Sequence, residues 1–153
     1  MGLAMTYTET SGIELESSYP YTGRNGTCTY DKAQEVFENK NFNNVTAESQ
    51  DALQEALVEG PVSVAVAAGG LSWQLYHGGV MKNGGLLGCG YKRLDHGVLA
   101  VGYNSEANDS PYWIVKNSWG TGWGEKGYIR LAMDADESAG TCGILEDATQ
   151  PTE

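Results

Sequence analysis

LDHGVLAVGY, Leu94–Tyr103, and YWIVKNSWGTGWGEKGYIRL, Tyr112–Leu131, are the stretches on which the fold turns. Their apolar runs predict three strands, His96–Tyr103, Tyr112–Lys116 and Tyr128–Met133. Turns are expected at Ser105–Ser110 and at the cluster Gly120-Thr-Gly-Trp-Gly, and these short connections predict an antiparallel meander. His96 heads the first strand and Asn117 ends the second, 21 residues later. An antiparallel return brings the start of one strand beside the end of the next. A carboxamide oxygen can accept an imidazole N–H and fix the ring without adding charge. That is the orienting role in a nucleophile–base–orienter triad. Read alone, His96 is more often a structural histidine than a base, and His77, in a YHGG turn, has only the structural reading. Trp119 follows two residues after Asn117, where an indole over the pair would exclude water and strengthen the hydrogen bond. A glycine-rich hairpin with tryptophans filling a core accounts for Trp119 equally, but not for a polar Asn117 where an apolar strand meets its turn.

Working outward, Ala47–Glu59 predicts a helix with Leu53, Ala56 and Leu57 on its apolar stripe and a stop at Gly60-Pro61. Val62–Ala67 alternates large and small residues and predicts a half-buried strand. Leu71–Val80 reads as a turn or short helix leading into a brief strand, and Gly78–Gly90, with six glycines, as loop. Met1–Ser11 reads as the tail of a helix broken at Gly12 and lacking an N-cap, as though it began earlier. Cys28–Asn44 is polar and irregular, with a short edge strand around Val36 and Phe37. No internal repeat is visible, and the expectation is a mostly β domain with a flanking helix.

The chain's 153 residues, 41% hydrophobic and 19% charged, are enough for a folded domain with a core. Twenty-one glycines, nine tyrosines and four tryptophans suit turn-rich β structure. A net charge of −11 argues against nucleic acid or an anionic membrane as partner. It fits work at acid pH, and simple solubility explains it as well. No apolar run approaches the length of a bilayer span, and MGLAMTYTETSG carries no secretory signal. Among three cysteines, Cys89 and Cys142 lie beside glycines and Cys28 in a polar turn. A Cys89–Cys142 pair plus a leftover is the simplest arrangement, worth roughly 3–5 kcal/mol through loop closure; three reduced thiols are the alternative. Sequons at Asn25, Asn44 and Asn108 favour an oxidising compartment.

Taken together, LDHGVLAVGY and YWIVKNSWGTGWGEKGYIRL resemble the histidine and asparagine motifs of the papain-like cysteine proteases, the cathepsin L group included. The resemblance extends to GIELESSYPYTGRNGTCTYD (Gly12–Asp31), EALVEGPVSVAVAA (Glu55–Ala68) and GTCGILEDA (Gly140–Ala148), in order along nearly the whole chain. It implies an α+β fold, mainly the right-hand antiparallel β-barrel-like domain with a flanking helix over 46–153. Residues 1–45 would be a remnant of the left-hand helical domain and the crossover.

The resemblance also implies roles. His96 matches the catalytic base and general acid, Asn117 its orienter, and Trp119 the shielding indole. Leu94 and Ala65 match walls of the S2 specificity pocket, and Asp147 falls near its floor, where an inward carboxylate would tolerate basic P2 side chains; a solvated turn is the other reading of LEDAT. Cys89 and Cys142 match the right-domain disulfide. The family's nucleophile lies in a C-G-[SA]-C-[WY] segment, and neither this segment nor the oxyanion-hole glutamine is among these residues. Cys28 matches a cysteine whose partner lies in that same segment. The expectation is therefore part of a peptidase acting on polypeptides, inactive by itself, with an N-terminal segment or chain, tethered through Cys28, supplying the thiol. A non-catalytic module with a binding or structural role is the alternative. No metal or cofactor is implied, and a lysosomal, vacuolar or secreted location is expected.

Overall fold

The computed structural model describes residues 1–84, 89, 93–106, 110–133 and 138–152. In chain order the elements are α1 (Gly2–Ser11), β1 (Ile13–Glu14), a 3-10 turn (Lys32–Gln34), β2 (Glu35–Phe37), β3 (Asn41–Asn44), α2 (Gln50–Glu59), β4 (Val62–Val66) and α3 (Leu71–Gln74). There follow β5 (Val80–Met81), β6 (His96–Asn104), β7 (Tyr112–Lys116), β8 (Tyr128–Ala132), a second 3-10 turn (Thr141–Gly143) and β9 (Ala148–Thr152). The chain divides into two compact units. One comprises Asn44–Gln150 with Met1; the other comprises Gly2–Asn43 and the C-terminal residues from Pro151.

The architecture is α+β, with few helices and a large sheet in the order β3–β9–β4–β6–β7–β8–β5. Among the described residues this sheet is open, with β3 and β5 at its edges, and does not close into a barrel. β6, β7 and β8 form the expected antiparallel meander, and β4 adds antiparallel to β6. Alternation explains β4: Val62, Val64 and Val66 are fully buried, with Ser63 and Ala65 facing the other way. In β6 the inward residues switch parity. Val98 and Ala100 are buried, and a register shift between Ala100 and Gly102 leaves Val101 as an extra, exposed residue. After this bulge Tyr103 packs on Trp113, with ring centroids 5.9 Å apart.

The core of this unit is completed by Trp113 and Val115 from β7, Ile129 and Leu131 from β8, and Leu53 from α2. α2 starts at Gln50, three residues later than its composition suggests. Ser49 is extended and its hydroxyl accepts the Ala52 N–H at 3.2 Å, so the cap sets the boundary. Its other end is held from a distance. The Gln150 carboxamide donates to Gly60 O and to Ala56 O, both at 2.9 Å; Ala56 O also accepts the Gly60 N–H at 3.2 Å. β3 and β9 are polar strands without an apolar alternation and were not expected. β5 puts a brief strand inside the glycine-rich stretch; residues 85–88 and 90 of that stretch lie outside the described residues.

In the second unit, β1 and β2 pair antiparallel, with Ile13 opposite Phe37, close to the edge strand expected there. Tyr30 donates its hydroxyl proton to the Glu35 carboxylate, which pushes the phenol up to about 12. Gly12 has φ +60, and a side chain there would collide with Glu35, so glycine is required after α1.

Candidate active site

His96 opens β6, and Asn117 lies one residue past β7. Val98 falls opposite Asn117 when the β6–β7 register is continued from Leu99↔Lys116, so His96 and Asn117 are diagonal neighbours on one face. His96 Nε2 lies 2.8 Å from Asn117 Oδ1. The backbone N–H of Ser118 also points at that oxygen, at 2.8 Å. A backbone N–H can only donate, so the Asn117 atom facing it is the oxygen, and the imidazole nitrogen on the same atom must carry the proton. His96 is thereby held as the Nε2–H tautomer. In the neutral ring Nδ1 then carries the lone pair, and it has no hydrogen-bond partner among the described residues. Asn117 itself is buried, and its main-chain N–H donates to Gly127 O at 2.9 Å.

Aromatic rings surround the imidazole. The Trp119 ring centroid lies 5.1 Å from that of His96, with the two planes 39° apart, and Trp119 is 44% exposed. Trp73, fully buried, approaches edge-on at 6.3 Å. Trp123 joins the two, T-shaped on Trp119 at 5.4 Å and stacked on Trp73 at 5.9 Å.

The entry to β6 is fixed by Asp95. Its carboxylate accepts the Ala68 N–H at 2.8 Å and its own N–H donates to Val66 O at 3.1 Å, with Gly69 leaving room for the second carboxylate oxygen. Trp73, Trp123 and Asp95 were not singled out from sequence. The available signals were the four-residue Trp119–Trp123 spacing and an acid next to the histidine.

Ala65 pairs with Gly97 across β4 and β6, and its N–H donates to Asp147 O at 2.9 Å, which gathers Ala65 and Asp147 beside the start of β6. The Asp147 side chain is 44% exposed and accepts the Met1 ammonium at 3.1 Å. The Met1 methyl and sulfur lie against Gly97. Leu94 is half-buried just ahead of Asp95. Cys89 and Cys142 form a disulfide across a separation of 53 residues. Cys28 is a free, exposed thiol in the other unit, where the Tyr30 backbone N–H first, then Tyr19, holds its pKa below the ordinary value. Asn25 and Asn44 are exposed; Asn108 lies outside the described residues. Among the described residues no three His, Cys, Asp or Glu side chains are grouped to hold a metal, and no helix is long and apolar enough to cross a membrane.

Comparison with known proteins agrees with this architecture. The chain is 46% identical over 142 residues to cysteine endopeptidase Rep1 of Oryza sativa subsp. japonica, covering 92% of this chain and 37% of that protein. It is 41% identical over 141 residues to a cathepsin L-like protein of Caenorhabditis elegans, covering 92% and 40%. The fold superposes on the Carica candamarcensis cysteine protease CMS1MS2, solved with E-64, at a TM-score of 0.85 and 37% identity, covering 98% of this chain and 66% of that one. The chain spans 29–40% of the length of such curated relatives. The model of the papain family cysteine protease matches residues 1–152, and the chain belongs to that family.

Proposed function

We propose that this chain supplies the base and its orienter to a peptidase site whose nucleophilic thiol comes from a segment or chain outside these 153 residues. The observation that carries the reading is the 2.8 Å contact between His96 Nε2 and Asn117 Oδ1, with Nδ1 left open. In the complete site the thiol gives its proton to His96 Nδ1. The thiolate attacks the scissile carbonyl carbon, and the imidazolium protonates the leaving amine as the C–N bond breaks. The neutral ring then takes a proton from water, which attacks the acyl-thioester and releases acid and thiolate. Asn117 keeps the ring in one plane through each transfer, and Trp119 keeps water from competing for their hydrogen bond.

Leu94, Ala65 and Asp147 form part of the pocket for the second residue on the acyl side. The Ala65 N–H on Asp147 O, which gathers these two residues beside the start of β6, supports this reading. Residues 46–153 act as the right-hand domain and 1–45 as the left-hand remnant and crossover. Cys28 offers a tether to the segment bearing the thiol, and the location is lysosomal, vacuolar or secreted, where the Cys89–Cys142 disulfide persists.

The test joins this chain to a family N-terminal segment carrying the cysteine and measures hydrolysis of a peptide amide. His96→Ala should lower kcat/KM by about 10²–10⁴-fold with the melting temperature held. Near-normal turnover would remove His96 from the mechanism; no turnover in the joined parent would leave a non-catalytic module as the better reading.

A further inference from the structure

The turn between β7 and β8 carries both Trp119 and Trp123, yet its backbone has little reason to stay where it is. Gly120, Gly124, Lys126 and Gly127 all have φ between +56 and +94, and for Lys126 the left-handed conformation is intrinsically unfavourable. Asn117 hangs from the same turn through its N–H to Gly127 O. The turn is closed locally by Gly127 N–H on Trp123 O at 2.7 Å and by the Glu125–Tyr128 backbone pair.

Two side chains, Glu125 and Trp123, tie it by hydrogen bonds to the rest of the unit. Glu125 accepts from Arg130 Nε at 2.8 Å and Nη2 at 2.6 Å, a paired contact with β8, and from the Gly79 N–H at 3.1 Å, beyond α3. Arg130 is seated in turn over the Tyr112 ring at 5.2 Å. Tyr76 closes the circuit, donating to Gly79 O at 2.6 Å and accepting the Arg130 N–H at 3.3 Å. The Trp123 indole N–H is shared between Trp73 O and Gln74 O, both at 3.2 Å.

We infer that Glu125 is a positioning residue for His96: its carboxylate latches the Trp119–Trp123 turn to β8 and to the segment after α3, and so fixes the indole screen and Asn117 against the imidazole. The latch acts through packing and contacts no reacting atom. It rests on the reading of His96 and Asn117 as base and orienter.

The test uses the 153-residue chain and needs no turnover. Solvent exchange of the His96 Nε2 proton, followed by NMR, reports how well the His96–Asn117 bond is covered. Glu125→Gln removes the charge at constant shape, and Arg130→Lys keeps the charge but loses the fork. Exchange should quicken about tenfold in Glu125→Gln, on the scale of one charge-assisted hydrogen bond, and by less in Arg130→Lys. Trp123→Phe, which keeps a ring and loses the N–H, is the second variant should Glu125→Gln fold poorly, and it should act in the same direction. A lowered melting temperature with unchanged His96 exchange would make Glu125 merely structural and overturn the inference. Failure of the catalytic reading would show separately, as an inactive joined enzyme with His96 and Asn117 intact.

Discussion

Replacing Asn117 by Asp tests the central contact with a change of one atom. The side chain is buried, and its Nδ2 has no hydrogen-bond partner among the described residues, so exchanging NH2 for oxygen forfeits no bond. Oδ1 keeps both donors, the Ser118 N–H and His96 Nε2–H at 2.8 Å. What changes is charge. A carboxylate in direct contact favours the imidazolium, and an opposite charge at this range moves a pKa by about one to three units. Each unit is about 1.4 kcal/mol of preference for the charged ring. In Asn117→Asp the folded-state pKa of His96 therefore lies above its value in the parent. The ion pair is present while the ring is protonated and the carboxylate ionised, and is lost as pH rises through the raised value. Titration of the His96 ring carbons by NMR, in parent and variant, should show the upward shift. Urea unfolding should show Asn117→Asp close to the parent in mild acid and weaker in alkali. Identical His96 titrations would mean that position 117 does not touch the ring, and the site would have to be abandoned.

Three further outcomes are expected. Cys142→Ala should lower stability by about 4 kcal/mol, the chain-entropy value for a loop of this length, read from urea midpoints in oxidising buffer. Gln150→Leu leaves Gly60 O at the end of α2 without this donor and Ala56 O with the Gly60 N–H alone, and should cost about 1–3 kcal/mol, with early loss of helix by hydrogen exchange. The Arg130 fork holds the Glu125 carboxyl below the usual carboxylate range. The pair's stabilisation is thus complete above the unfolded pKa near 4.3 and fades as pH falls below it toward the lower folded value. The stability gap between parent and Glu125→Gln, about 1 kcal/mol for a partly exposed pair, should shrink in acid; a constant gap down to pH 3 would contradict the pairing.

The parts legible in the sequence were those governed by apolar periodicity. β4, β7 and β8 show their burial in their spelling, and the antiparallel return that joins His96 to Asn117 follows from strand and turn lengths. The parity switch in β6 was hidden because a bulge at Val101 depends on how β7 pairs with it. β3, spelled NFNN, and β9, spelled ATQPT, are strands because neighbours supply hydrogen bonds, and no apolar alternation announces them. The boundary of α2 was set by one hydroxyl on Ser49. Around the site, His96, Asn117 and Trp119 carried a recognisable spacing. Trp73 reaches His96, and Trp123 reaches Trp73 and Trp119, through tertiary packing, and Glu125 acts through Arg130 and Gly79, contacts that no local pattern encodes.

The most direct measurement is the tautomer of His96 in the unaltered chain, read from its two imidazole nitrogens by long-range proton–nitrogen NMR above the ring's pKa. The geometry predicts a proton on Nε2 and a lone pair on Nδ1, open to receive a proton from a thiol. A proton on Nδ1, or two tautomers in rapid exchange, would contradict it.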